Sequence, residues 1–238
     1  MTSDFQAKDT GIIIPADSDQ AAGDQSDQQM APIPDVIPVV PVAGAVLYPY
    51  IVYPFFVRGA RTEKAVDAAA DSNNFIFVVA TKKRDHDPTE VAPSKLYQVG
   101  TVGLIHKMMR DPSGGIRMMV QGLQRARAEN IRTTSDGYLR ADITLLEDEK
   151  IEDDEQTRAL IRNVNDQLQQ AVKLGKTLPQ EFINMVAQLK DPGRLADLIA
   201  STIELEPGDA QNVVEELNPA KRLDQVLRLQ AGELKILE

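Results

Sequence analysis

The chain has 238 residues, 42% of them hydrophobic, so it is long enough to bury a full core in one large or two small domains. It contains no Cys, which excludes disulfides, a thiolate nucleophile and cysteine metal sites, and fits a reducing compartment. No apolar run approaches the roughly 18 residues that a membrane span needs, and we therefore expect a soluble, cytoplasmic protein.

The acidic charge of the chain is concentrated in two short places. The formal net charge is −10, but residues 1–35 and residues 147–155 each hold seven acidic side chains against one Lys. The remaining chain is therefore close to neutral. A neutral folded part argues against electrostatic steering toward nucleic acid.

Composition divides the chain into three segments. Residues 1–35 are rich in Asp, Gln, Ser, Ala and Pro, and their one apolar cluster, Ile12–Ile14, is too short to pack a core, so we predict disorder there. Residues 36–148 carry short β-rich runs and predict a β-rich subdomain with one helix. Residues 149–238 change to a helical period and predict a helical bundle subdomain. The predicted fold class is α+β.

The strands of the β-rich subdomain are predicted from runs of Val, Ile, Phe and Tyr that Gly, Pro and Asp separate. These runs are Ile37–Val42, Ile51–Val57, Phe75–Ala80, Val99–Met109, Ile116–Gly122, Arg125–Ile131 and Tyr138–Leu146. A helix is predicted near Thr62–Ala70 from apolar residues at helical spacing. The segment Asp111–Gly115 has the Pro and Gly of a tight reversal and predicts a hairpin.

Five helices are predicted after the acidic residues 147–155. The first has Leu160, Val164, Leu168 and Val172 on one face, with Ile161 beside them. Four prolines mark later helix starts, at Pro179, Pro192, Pro207 and Pro219, and Asp191 and Asn218 precede two of them as N-caps. The last helix carries Leu223, Leu227, Leu234 and Leu237 on one side and reaches Glu238 without a stop signal, which indicates part of a longer chain.

Three apparent catalytic patterns do not assemble into a site. Gly175–Thr177 resembles the end of a phosphate loop, but Gln170 stands where the first Gly belongs and no strand precedes it, so we expect Gly175 to end a helix in a left-handed cap. His86 and His106 lack a third metal ligand, and a surface loop is the better account of His86, which Asp85 and Asp87 flank. The neighbours Ser94–Lys95 should point apart. The sequence therefore predicts no catalytic, cofactor or metal site.

Arginines on the predicted strands offer one possible contact surface. Arg125 and Arg127 share a strand face by alternation, and Arg117, Arg132 and Arg140 could lie nearby. Such a face could contact RNA phosphates. Aromatic residues for base stacking are scarce in these strands, however, and a solvated outer face explains the arginines as well.

A second possible contact surface consists of apolar side chains in excess of what a core needs. The segment Leu47–Val57 holds three Tyr and two Phe, and Met108–Met109 faces Met118–Met119 across the hairpin, so alternation must turn one Met of each pair outward. Flexible thioethers and exposed rings suit a binder of many unfolded chains. The alternative is that these groups pack against the helical part. The candidate protein-binding residues are Tyr48, Tyr50, Tyr53, Phe55, Met109 and Met119.

Four motifs occur in one order and spacing: Ile37–Val42 leading to Leu47–Pro49, Val99–Val102, Val120–Arg127, and Pro192–Ala200. Together they resemble the N-terminal domain of the ATP-dependent Lon proteases over Val36–Glu238. The resemblance implies a PUA-like β-fold followed by a helical bundle whose long last helix runs toward an ATPase ring. It also implies a role in recognising unfolded or damaged proteins and in assembling a hexamer.

The chain departs from that family's full pattern. It lacks the phosphate loop, the acidic metal-binding strand and the serine–lysine dyad, so ATP and Mg²⁺ would belong to other domains and the chain itself is expected to be non-enzymatic. The expected partners are unfolded or damaged protein substrates and other subunits of a homo-oligomer, with no membrane and no nucleic acid. The alternative is a stand-alone Lon-domain protein that binds RNA or another protein through the Arg-bearing β-face.

Overall fold

The computed structural model describes residues 32–84, 86–152, 154–174 and 179–237, and side chains as far as Glu233. The predicted disorder of residues 1–35 falls almost wholly outside this part, as do the predicted cap at Gly175 and the side chains of Leu234 and Leu237. The strands of the described part are β1 Val36–Val42, β2 Val52–Val57, β3 Phe75–Ala80, β4 Val99–Arg110, β5 Ile116–Thr133 and β6 Leu139–Leu145. The helices are α1 Ala60–Ala70, α2 Glu155–Lys173, α3 Gln180–Gln188, α4 Pro192–Ala200, α5 Pro207–Glu215 and α6 Pro219–Leu237.

The long strand β5 organises the sheet. The strand order is β2-β5-β4-β3-β1-β6, and an additional pairing of β6 with β5 closes five strands into a barrel. The first part of β5 pairs with β2, and its second part, from Ala126 to Thr133, pairs with β6. Strand β2 therefore stands outside the ring as an edge strand.

A bulge in β5 reverses the direction of its side chains. Val102 pairs with Gln124 and Gly103 pairs with Gly122, so Leu123 is an extra residue in β5. Before the bulge, Met118 and Val120 face one core cluster; after it, Ala126 and Ala128 face another. The sequence predicted two strands, Ile116–Gly122 and Arg125–Ile131, and this was wrong in connectivity because the bulge interrupts the alternation without ending the strand.

The core has layers on both faces of the sheet. Strand β3 is buried along its whole length, and its residues alternate between the cluster of Ile76 and Val78 and that of Phe75 and Phe77. Helix α1 covers the first of these clusters with Ala65, Val66 and Ala69. A third cluster lies among the later helices and also includes Tyr48 and Ile51 from the loop before β2.

The later helices begin at the positions that the prolines predicted. Five helices come after the acidic residues within the described chain, and each of the later ones begins at or next to a predicted Pro. Asp191 accepts a hydrogen bond from the backbone N–H of Arg194, and Asn218 accepts one from that of Lys221, so both act as N-caps.

One predicted helix face needs correction. In α2, Val164 and Leu168 are buried, but Val172 is exposed and Ala171 is buried in its place. The division into subdomains at 36–148 and 149–238 remains a prediction, with strands ending at Leu145 and helices beginning at Glu155. The observed architecture is α+β, as predicted.

Candidate functional site

The outward side of β2, β5 and β4 forms a continuous surface next to the hairpin. Phe56, Arg117 and Met109 are directly paired across the three strands, and Pro54, Met119 and Lys107 form the next row. A third row follows where the His106 ring is 2.7 Å from the Gln121 side-chain oxygen. We call these positions the outer sheet face: Val52, Pro54, Phe56, His106, Lys107, Met109, Arg117, Met119 and Gln121.

The opposite side of the same strands packs in the core, so the outer sheet face is the side that remains open to solvent. Ile116, Met118 and Val120 alternate with the outward residues of β5 and are buried against α1 and β3. On the outer side, Met109 is 60% exposed and Phe56 is 38% exposed, and both rank among the most exposed large apolar side chains of the described residues. Neighbouring exposed apolar groups of this kind mark interaction surfaces.

Cations surround the apolar groups of the outer sheet face. The guanidiniums of Arg58 and Arg117 each lie 4.9 Å from the centroid of the Phe56 ring, a distance at which cation–π attraction operates. Lys107 lies beside them and is exposed. No acidic residue occupies any position of the face, so it combines apolar contact with positive charge.

The hairpin at the end of the face is fixed by one acidic side chain. Asp111 accepts hydrogen bonds from the hydroxyl and backbone N–H of Ser113 and from Nε of Arg117, the last at 2.8 Å. The bonds from Ser113, followed by that from Arg117, hold the pKa of the Asp111 carboxyl well below its usual range. The backbone N–H of Asp111 donates to the Gly115 carbonyl at 2.9 Å, which confirms the predicted hairpin.

The structure separates the six predicted binding residues. Met109 and Met119 lie on the outer sheet face, although Met119 is partly buried. Tyr53 and Phe55 point to the inner side of β2, half-buried, with ring centroids 5.7 Å apart. The exposed ring is that of the neighbouring Phe56, which the sequence did not predict because the facing of β2 depends on its register with β5.

The other two predicted residues lie in the loop before β2. Tyr48 is only 3% exposed and packs in the helical cluster, so it does not belong to a binding surface as predicted. Burial, followed by the nearby Asp197 carboxylate, raises the pKa of its phenol. Tyr50 is 49% exposed, and its ring lies 4.5 Å from the guanidinium of Arg194 in α4 rather than against Phe56 or Met109.

The predicted Arg-bearing face is not a single surface. Arg125 is buried and pairs with Asp197 of α4, because the bulge at Leu123 turns it toward the helices. Arg132 is exposed but pairs with Asp142 at 3.0 Å. The prediction that Arg125 and Arg127 share a solvated face was therefore wrong for Arg125, which serves as a structural anchor.

The structure also bears on the histidines and on membranes. His106 lies within β4, inside the predicted strand run Val99–Met109, and its ring contacts Gln121. Among the described residues, no three His, Asp or Glu side chains are grouped so as to hold a metal ion. No helix in the same part of the chain combines the length and hydropathy that crossing a bilayer requires.

Comparison with known proteins gives the family. The model of the ATP-dependent protease La (Lon) substrate-binding domain matches residues 36–230. The chain belongs to this family. The Lon protease of Geobacter metallireducens is 38% identical over 195 residues, which cover 82% of this chain and 23% of that protein. That of Trichlorobacter lovleyi is 37% identical over 207 residues, covering 86% and 25%. The chain thus spans about a quarter of the length of these relatives.

Solved structures share the fold. The N-terminal domain of a Mycobacterium avium complex Lon protease has a TM-score of 0.66 at 20% identity and covers 82% of this chain and 98% of its own. The Lon N-terminal domain protein from Xanthomonas campestris has a TM-score of 0.58 at 17% identity, with coverages of 81% and 97%. At this level of identity the likeness shows the fold alone.

Proposed function

We propose that the chain recognises protein substrates through the outer sheet face, by holding exposed apolar segments of unfolded or damaged proteins. The observation that carries the proposal is the direct cross-strand row of Phe56, Arg117 and Met109, in which the two apolar members are exposed. Membership of a substrate-binding-domain family supports the same role.

The chemistry of the face suits weak and tolerant binding. Covering one Phe and one Met side chain removes about 200 Å² from water, which at ~25 cal/mol per Å² gives about 5 kcal/mol before ordering costs. Those costs leave a modest affinity for a single module. Met109 and Met119 are unbranched thioethers that adapt to differently shaped partners, which favours low sequence preference.

The setting of this module is part of the proposal. The relatives are called Lon proteases, and we propose that this domain delivers substrates to such an ATP-dependent protease in the cytoplasm, as one of several subunits. Linked copies raise the effective concentration of weak contacts, so a homo-oligomer would bind a long unfolded chain far more tightly than one module does.

The test uses one small disulfide-containing protein in two forms, native and permanently unfolded by reduction and alkylation. We expect the unfolded form to bind at least about tenfold more tightly, because only it exposes apolar segments. The double variant Phe56→Ser, Met109→Glu should lose most of that binding. Calorimetry or fluorescence anisotropy measures both affinities.

A matched control separates the face from general surface hydrophobicity. Leu145 is 40% exposed on β6, away from the hairpin, so Leu145→Ser removes a comparable apolar group elsewhere. This variant should bind the unfolded protein like the unmodified chain. Equal binding of native and unfolded forms, or equal losses in the two variants, would contradict the proposal.

A further inference from the structure

One sequence feature has no role in the function proposed above. The apolar cluster Ile12–Ile14 lies in the acidic N-terminal segment, outside the described residues, and Asp9, Asp17 and Asp19 flank it within five positions on either side. Lys8 directly precedes this stretch, and no Lys or Arg lies between residues 9 and 19. This stretch is therefore a short apolar peptide flanked by acidic residues.

The outer sheet face has the reverse character. Its exposed apolar groups, Phe56 and Met109, lie beside the cations of Arg58, Arg117 and Lys107. Among the described residues, Asp111 is the one acidic side chain paired with a cation of this group. The apolar and charged groups of residues 9–19 therefore complement those of the face in both respects.

The covalent connection is long enough for the two to meet. Twelve residues lie between Asp19 and Pro32, where the described chain begins, and this connection spans up to about 43 Å when extended. A folded chain of about 200 residues has a radius of gyration of about 17 Å. This connection is longer than twice that radius, so much of the folded surface lies within reach of residues 9–19.

We propose that residues 9–19 dock on the outer sheet face of their own chain and compete there with protein substrates. The docking stands on charge and apolar complementarity alone, whereas the competition rests on the proposed function. A tethered segment has an effective concentration of about 1 mM, so a segment with an intrinsic Kd of about 0.1 mM would weaken substrate binding about tenfold.

The docking is tested in the full chain by methyl NMR of its methionines. The change Ile12→Ser, Ile13→Ser, Ile14→Ser should shift the methyl signals of Met109 and Met119, which lie on the face. The signal of Met118, buried on the inner side, should stay in place. The matched control Ala21→Ser, Ala22→Ser alters the same acidic segment away from the cluster and should shift none of the three.

Salt and dilution complete this test. Raising ionic strength from about 0.05 to 0.5 M should reduce the difference between the unmodified chain and the triple variant, because the charge attraction is screened. The difference should not change on dilution, since the contact is within one chain. Identical spectra of Met109 and Met119 in the two chains would overturn the docking, and so would a difference that disappears on dilution.

The competition is tested separately with the permanently unfolded protein. The triple Ser variant should bind it up to about tenfold more tightly than the unmodified chain does. Unchanged affinity together with shifted methyl signals would overturn the competition and leave the docking in place. If none of the chains bound the unfolded protein, the proposed function itself would be overturned. This outcome differs from failure of the competition alone, so the two can be told apart.

Discussion

Arg125 and Asp197 form a two-pronged ion pair between β5 and α4, with nitrogen–oxygen distances of 2.9 and 2.5 Å. Their side chains are 3% and 2% exposed. Nε of Arg125 also donates to the Val214 carbonyl at 2.9 Å, and Nε of Arg222 in α6 lies 3.4 Å from the same Asp197 carboxylate. Asp197 therefore pairs with Arg125 and also contacts Arg222, whose closer carboxylate partner is Asp148 at 2.6 Å, and it joins the barrel to α4 and α6.

Removing that carboxylate should be costly. Asp197→Asn keeps the size of the side chain but leaves Arg125 and Arg222 buried without its charge, and we expect a loss of about 3–5 kcal/mol in the free energy of unfolding. Urea denaturation measures it. The control is Asp142→Asn, which breaks the exposed pair with Arg132 and should leave the urea midpoint close to that of the unmodified chain. Equal losses in the two variants would contradict this role of Asp197.

The buried phenol of Tyr48 should make the fold sensitive to alkali. Its hydroxyl has no hydrogen-bond partner among the described residues, and burial raises its pKa above the ordinary value of 10. Above pH 10 the unfolded state loses this proton and the folded state retains it, so stability is full below pH 10 and falls by up to about 1.4 kcal/mol per pH unit above it.

Tyr48→Phe removes that contribution, and the stability of this variant should fall less steeply between about pH 10 and 11.5. The pKa of Tyr53 is also raised by burial, so Tyr48→Phe, Tyr53→Phe should flatten the profile further. Urea unfolding at a series of pH values gives the slopes. A profile that is the same in all three chains would show that these phenols do not control alkaline stability.

Gly122 is required by a close approach of two chain segments. A Cβ built there would lie 2.1 Å from the Tyr48 carbonyl oxygen, and the Gly122 backbone also exchanges hydrogen bonds with Tyr50 and Ile51. Gly122→Ala should therefore destabilise the fold by about 2 kcal/mol or more. Gly208, in helix α5, has open space around its Cβ position, and Gly208→Ala should stabilise by up to about 1 kcal/mol. Thermal unfolding of both variants checks the opposite signs.

The outer sheet face should distinguish peptides by charge. The test uses two peptides that share the same apolar centre, which is flanked by Asp in the first peptide and by Lys in the second. The cations of Arg117 and Lys107 should favour the Asp-flanked peptide several-fold at low salt, and the preference should shrink toward about 0.5 M salt. Arg117→Gln, Lys107→Gln should reduce it as well. A preference that survives both changes would show that the peptides bind elsewhere.

Much of the fold follows from local pattern. Strand β3 was predicted with its correct bounds because a wholly buried strand is a continuous apolar run, and the helix starts were predicted because Pro and Asp act within one turn. Facing was harder. The exposure of Phe56 depends on the pairing of β2 with β5, and the burial of Arg125 depends on the bulge at Leu123. The sequence shows an interrupted alternation there, but it does not show whether the interruption ends the strand or adds one residue to it.

The conformation of the loop before β2 could not be predicted from the local sequence pattern either. Between β1 and β2 the backbone has no regular period, and Tyr50 has a φ of 66°, a left-handed conformation that residues other than Gly seldom adopt. Tyr48 is drawn into the helical cluster by helices that follow more than a hundred residues later in the sequence. Tertiary packing of this kind cannot be deduced from the composition of the loop alone.

The single extra residue in β5 has a consequence for any insertion or deletion in this strand. Deleting Leu123 would make Gly122 and Gln124 neighbours, so both would keep their partners on β4 and every later side chain would keep its face. A deletion of Ala126 taken up at the bulge would instead move Arg125 into the place of Ala126, on the opposite face and away from Asp197, while Phe56 and Met109 kept their places. A lost residue is therefore tolerable at Leu123 itself but not farther along the strand.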